Sequence, residues 1–87
     1  MDYSKALYEL KKGKKLARHG WNGKHMFIYY VPRGEYPPHT EIAKELANTD
    51  GLVPHEAYIA IKTVRGTVVP WFCSQTDMLA EDWFIVE

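Results

Sequence analysis

The sequence predicts an α+β domain, a small antiparallel β-sheet packed against an N-terminal helix, with a short helix before the last strand. Three observations carry that prediction. Tyr3, Ala6, Leu7 and Leu10 recur at helical spacing and stop before Gly13. Runs at 25–31, 57–63 and 67–69 are rich in β-branched and aromatic residues, and Gly, Pro and Asn punctuate them. A final apolar run, Trp83-Phe84-Ile85-Val86, follows a stretch that opens like a capped helix.

Each element has a local reason. Asp2 or Ser4 can cap the first helix, since either side chain can accept from a free amide of its first turn. A short strand is expected over 15–18, with Leu16 inward. Gly20-Trp21-Asn22-Gly23 reads as a turn, and its glycines and asparagine favour left-handed backbone. His25 to Val31 reads as a strand with aromatic or aliphatic residues on both alternating faces. One face can meet the core and the other a partner or a pocket. Pro32, Gly34, Pro37 and Pro38 make 32–54 irregular, except for two helical turns over 41–47 after Thr40. The 57–63 strand joins 67–69 through a tight Val64-Arg65-Gly66 connection. Ser74 and Asp77 are spaced as a capping box for a helix over 74–80.

At 87 residues the chain reads as one domain, 1–87, with a thin core and no repeats or linkers. Small cores usually need a staple. Cys73 is the single cysteine, so no disulfide can form within the chain, which suits a reducing cytoplasm. No apolar run approaches the ~18 residues needed to cross a bilayer, so no membrane partner is expected. Self-association is the expected staple.

Net charge is zero, from 11 Lys plus Arg against 11 Asp plus Glu, which argues against a polynucleotide partner. The lysines at 11, 12, 14 and 15 with Arg18 read as a solvated helix end meeting the negative pole of the helix dipole.

Little in the chain suits bond breaking. Cys73 has no cationic neighbour in sequence and reads as a small buried hydrophobe rather than a nucleophile. His19, His25, His39 and His55 are scattered without metal-ligand spacing, so no metal or cofactor is expected. Asp77, Glu81 and Asp82 offer carboxylates for acid–base work, but helix capping explains them as well. No phosphate-binding Gly-rich loop is present. The chain therefore reads as a binding protein and not an enzyme.

Binding chemistry concentrates in two segments. Trp21, between two glycines and followed by Asn22, is either a lid on the core or a stacking platform, and the residues leave both open. Trp71 and the run Ser74-Gln75-Thr76-Asp77 form the second segment. Hydroxyls, an amide and free helix-start N–H groups suit a phosphate, and Asp77 suits ribose hydroxyls. Trp83, in the terminal strand, is the better core candidate of the last two tryptophans.

Three stretches carry a resemblance. Lys-Lys-Leu-Ala-Arg-His-Gly-Trp-Asn-Gly-Lys-His-Met-Phe (14–27), Ile-Lys-Thr-Val-Arg-Gly-Thr-Val-Val-Pro-Trp (61–71) and Ser-Gln-Thr-Asp-Met-Leu-Ala-Glu-Asp-Trp (74–83) resemble a family of small phage and prophage proteins, the Thoeris anti-defence 2 family. The resemblance runs nearly end to end, and 33–54 is where members differ. It implies a homotetrameric sponge that binds cyclic ADP-ribose isomers made by TIR-domain immune enzymes, without cleaving them, in pockets between subunits. It also implies that some members sequester cyclic dinucleotides at a separate site. On matching positions, Trp21 would stack on adenine with Asn22 nearby, and Ser74, Gln75, Thr76 and Asp77 would line the polar side. Phe27 and Tyr29 are weaker ligand candidates. The alternatives are a phosphodiesterase using Asp77 and Asp82, and an adaptor for nucleic acid or protein. The host-cell cytoplasm is the implied location.

Overall fold

A computed structural model describes all 87 residues. Helix α1 (Tyr3–Lys11) is followed by strands β1 (Lys15–Arg18), β2 (Phe27–Val31) and β3 (Gly34–Tyr36). Helix α2 (Glu41–Lys44), β4 (Val53–His55), β5 (Tyr58–Lys62), β6 (Val68–Pro70), α3 (Gln75–Leu79) and β7 (Trp83–Val86) complete the chain. Five strands form an antiparallel sheet in the order β6-β5-β2-β1-β7, and β3 pairs with β4 in a separate ribbon. This is the α+β architecture the sequence predicts.

Registers fix which side chains share a face. Leu16 pairs with Ile28 and Ile85, and Ile28 with Ile61, so these aliphatics lie on one side of the sheet. Helix α1 covers that side with Ala6 and Leu10. Ala6, Leu10, Leu16, Ile28 and Trp83 form the buried cluster, each 2% exposed or less. Tyr3, Leu7, Trp21, Tyr30 and Trp71 pack around it. The other face carries Phe27 opposite Lys62, Tyr29 opposite Ala60, and Ala17 opposite Phe84. No element covers that face, as the two apolar sides of β2 had suggested.

Asp2, not Ser4, caps α1: its carboxylate accepts from the Lys5 amide at 2.9 Å. Gly13 ends the helix at φ +93°, a region open to glycine without the steric cost a Cβ brings. The 64–66 connection is a tight hairpin, with Gly66 at φ +82° and Thr63 N–H donating to Thr67 O at 2.8 Å. The N-terminus meets the start of β7 at the sheet edge, where the Met1 ammonium donates to Trp83 O at 2.8 Å.

Four expectations need correcting. The 20–23 turn holds no left-handed residue; His25 does, at φ 63°, and this breaks the strand so that β2 starts at Phe27. The glycines there are required by space instead. A Cβ on Gly23 would lie 2.2 Å from both Met26 Sδ and Val64 Cγ1. The 32–54 stretch contains the β3–β4 ribbon, which its proline content hid. Pro54, opposite Glu35, is tolerated because a two-stranded ribbon has only edges. Regular α-helix over 41–47 stops at Lys44, and Leu46 and Ala47 close shorter turns onto Ala43 and Lys44 carbonyls. Cys73 is half-buried in a pocket wall rather than in the core.

Candidate functional site

The turn after β1 and the start of α3 come together through charge. Arg18, at the end of β1, donates through Nη1 to Asp77 Oδ1 at 2.8 Å and through Nε to Asp82 Oδ1 at 2.7 Å. Asp82 Oδ2 accepts the Gly20 N–H at 2.8 Å. Asp77 Oδ1 also accepts the Trp21 indole N–H at 3.0 Å, across 56 residues of sequence. Ser74 Oγ caps the Asp77 amide at 3.0 Å. The sequence spacing of Ser74 and Asp77 therefore makes half a capping box. The Asp77 carboxylate turns away from the helix start and toward Arg18 and Trp21.

Burial acts to raise the Asp77 carboxyl pKa, but hydrogen bonds from Trp21, Arg18 and Ser74 outweigh it and hold the group below its ordinary value. The Arg18 hydrogen bond lowers Asp82 as well. One guanidinium between two carboxylates leaves the cluster with a net negative charge. Asp77 Oδ2 makes no hydrogen bond, and the amides of Gln75 and Thr76 donate to no protein acceptor. Asn22, Gln75 and Thr76 are exposed around this core.

Trp21 is half-buried. Its ring meets Trp83 at 5.3 Å and 80°, so the indole is folded onto the core and tethered by its N–H. Trp83 is 2% exposed, the core residue the sequence suggested, and its own N–H donates to Asp77 O at 3.0 Å.

The remaining candidates lie elsewhere. Trp71 meets Trp83 at 6.0 Å and Tyr3 at 6.0 Å, and lines an apolar pocket with Cys73. In that pocket burial and the neighbouring Cys73 push the Tyr3 hydroxyl up to about 12, and burial pushes the Cys73 thiol up too. Neither group is primed as a nucleophile. Phe27 sits on the open sheet face, in a depression of about 390 Å³ with Lys15, Tyr29 and Lys62. The Lys15 and Lys62 ammonium groups stand 5.1 and 5.8 Å from its ring centroid, and neither lysine pairs with a carboxylate. The predicted set thus divides into a polar cluster (Trp21, Asn22, Ser74, Gln75, Thr76, Asp77), a pocket tryptophan and a cationic–aromatic patch.

Sequence reasoning missed Arg18, which read as one more cation at a helix end, and the approach of Lys15 and Lys62 to the one Phe27 ring. Alternation along β1 placed Leu16 correctly. Nothing local says that an arginine two residues on will be clamped by two aspartates about sixty positions away.

Comparison with known proteins places the chain in a family. The chain matches the model of the Thoeris anti-defense 2-like domain over residues 1–86 and belongs to that family. It is similar to Thoeris anti-defense 2 of Bacillus phage SP01, at 37% identity over 99% of this chain and 94% of that protein. No helix is long and apolar enough to cross a membrane.

Proposed function

We propose that this protein is an anti-defence sponge: it captures a cyclic ADP-ribose-type signal made by a TIR-domain enzyme and holds it without cleavage. Family membership supports the anti-defence role. The observation that carries the binding reading is the Trp21–Asp77 tether. It presents a fixed, half-exposed indole beside an ionised carboxylate with one oxygen free. A fixed aromatic plate stacks a base with little loss of side-chain freedom. The free Asp77 oxygen accepts ribose hydroxyls, and exposed Ser74, Gln75 and Thr76 add donors beside it.

Charge assigns the parts of the ligand. A cluster of net negative charge suits the base and ribose and repels phosphate, so the diphosphate must be met by groups from elsewhere, such as a second copy. Magnitude leads the same way. Nanomolar capture needs about −12 kcal/mol. One stack supplies roughly 1–3 kcal/mol, and hydrogen bonds to charged groups about 1.5–3 each. An open turn falls short of the total, whereas a site closed between copies excludes water and reaches it. The protein accordingly acts as a homo-oligomer, the tetramer that the family resemblance implies, in the cytoplasm of the infected host.

A second reading is favoured by the Phe27 patch. Two lysines with no carboxylate partner beside Phe27 and Tyr29, one of them (Lys62) donating to His25 O at 2.9 Å, suit the phosphates and bases of a cyclic dinucleotide, at a place separate from Trp21.

Calorimetric titration with a cyclic ADP-ribose isomer tests the main reading, followed by heating and mass analysis of the released ligand. Tight binding with intact ligand recovered is expected, and Trp21→Ala weakens binding at least about tenfold. Linear or hydrolysed product in the supernatant would mean an enzyme. In parallel, Lys15→Glu with Lys62→Glu should abolish any cyclic dinucleotide binding and spare the first ligand.

A further inference from the structure

Asp82 stands one residue before β7, just past the end of the β1–β7 ladder. Arg18 is paired with Trp83, and beyond that rung His19 N–H donates to Asp82 O at 3.2 Å. Backbone pairing therefore sets where this carboxylate sits. Both its oxygens are engaged by donors of the chain. Oδ1 receives Arg18 Nε at 2.7 Å, and Oδ2 receives Gly20 N–H at 2.8 Å and Arg18 Nη2 at 3.4 Å. We propose that Asp82 is a positioning residue for the ligand site: without touching ligand, it fixes the plane of the Trp21 indole through Arg18 and Gly20.

Two routes lead from Asp82 to that ring. One is through backbone. Asp82 holds the Gly20 amide, and Trp21 N–H donates to Arg18 O at 3.2 Å, so the root of the side chain is fixed. The other runs through side chains. A guanidinium presents its donors in a rigid planar fork. With its Nε–Nη2 edge gripped by Asp82, Nη1 is aimed at Asp77 Oδ1, 2.8 Å away. That same oxygen accepts the Trp21 indole N–H at 3.0 Å. The Arg18 and Asp77 side chains are 14% and 16% exposed, so water competes little for the bonds of this relay. Asp77 alone would neutralise Arg18; what Asp82 adds is direction. With Oδ1 of Asp77 held by two donors, its free Oδ2 is oriented as well. Space is tight enough to keep the parts in register, since a Cβ on Gly20 would lie 3.0 Å from both Arg18 Nη2 and Asp82 Oδ2. A stacking platform is only as fixed as the residues behind it. Ordering one such side chain in advance of binding is worth roughly 3- to 10-fold in affinity.

The role rests on the proposed stacking of ligand on Trp21, so its test reads the indole both with and without ligand. Wild type, Asp82→Asn, Gly20→Ala, Trp21→Phe and the double variant Asp82→Asn/Trp21→Phe are compared by nitrogen–proton NMR and by calorimetry with a cyclic ADP-ribose isomer. Trp21→Phe identifies the Trp21 indole N–H resonance by deleting it. In ligand-free Asp82→Asn that resonance should move toward the position of free indole and exchange faster with water. The Trp83 indole N–H, bound to Asp77 O, should stay in place and so report an intact fold. Affinity should fall roughly 3- to 10-fold in Asp82→Asn, yet less than about 2-fold when the same change is made on Trp21→Phe, which has no N–H to tether. Gly20→Ala keeps both charges but crowds the grip, and should shift the same resonance and weaken binding in the same direction. It decides the matter if Asp82→Asn does not fold. A Trp21 resonance unmoved in the folded variants, or an affinity loss from Asp82→Asn equally large on Trp21→Phe, would overturn the role. Capture of the ligand by wild type with unchanged affinity in Asp82→Asn sinks the positioning role alone. A wild type that binds no such ligand sinks the sponge, and the ligand-free resonance still shows whether Asp82 holds the ring.

Discussion

Asp77 shows how much one carboxylate can organise in a small domain. One of its oxygens receives both the Arg18 guanidinium and the Trp21 indole, and its backbone carbonyl receives the Trp83 indole. Replacing it with Asn keeps the shape but removes the charge that Arg18 needs. We expect Asp77→Asn to cost about 1–3 kcal/mol in urea unfolding. The pH dependence has a defined sign. Asp77 is held below its ordinary pKa in the folded state, so the stabilisation is present above about pH 4 and is lost as pH falls through the depressed folded value. Asp77→Asn should therefore flatten the acid limb of a stability–pH curve. At Trp83, 2% exposed and in contact with three other aromatic rings, truncation to Ala should cost about 3–5 kcal/mol, enough to unfold so small a domain. Loss of the thermal transition in Trp83→Ala would verify that.

Among the elements, turns decide more than strands. The Gly20–Gly23 turn is compressed between β1, the Asp82 carboxylate and the 64–66 hairpin. Gly23→Ala places a methyl 2.2 Å from both the Met26 and Val64 side chains, so both must move or the turn must shift. Gly66→Ala meets no atom but strains a backbone at φ +82°. We expect Gly66→Ala to lose about 1 kcal/mol of stability and leave ligand binding intact. Gly23→Ala should displace Trp21 and weaken ligand capture as well. Measuring both melting temperature and affinity for the pair separates strain from displacement. These turns were only partly legible. Two glycines around a tryptophan announced a turn, but their reason, crowding rather than left-handed backbone, depends on residues forty positions away. The β3–β4 ribbon stayed hidden because strands of three residues containing proline carry no alternation to read.

For the whole molecule, the balance between exposed and buried apolar surface is the feature on which the proposed function turns. The sheet has one face under α1 and another open, with Phe27 and Tyr29 upon it, and a pocket stands next to an exposed phenylalanine. On the proposed reading, such a chain completes itself by association, and a ligand held between copies would add to the same interface. Saturating cyclic nucleotide should therefore raise the melting temperature and sharpen its dependence on protein concentration. A melting temperature indifferent to both would separate folding from capture.

The helix, the main strands, the inward Leu16, the core Trp83 and the capped start of α3 were determined by the sequence alone, because periodicity and capping are local properties of the chain. So was the family, through motifs spread along its length. Tertiary structure alone decided that Trp21 and Asp77 touch, that Phe27 belongs to a different patch, and that Arg18 is a clamp. Those outcomes depend on which strands become neighbours: β7 beside β1 brings Asp82 and Asp77 to Arg18, and hydrogen-bond register across sixty residues leaves no trace in local spacing.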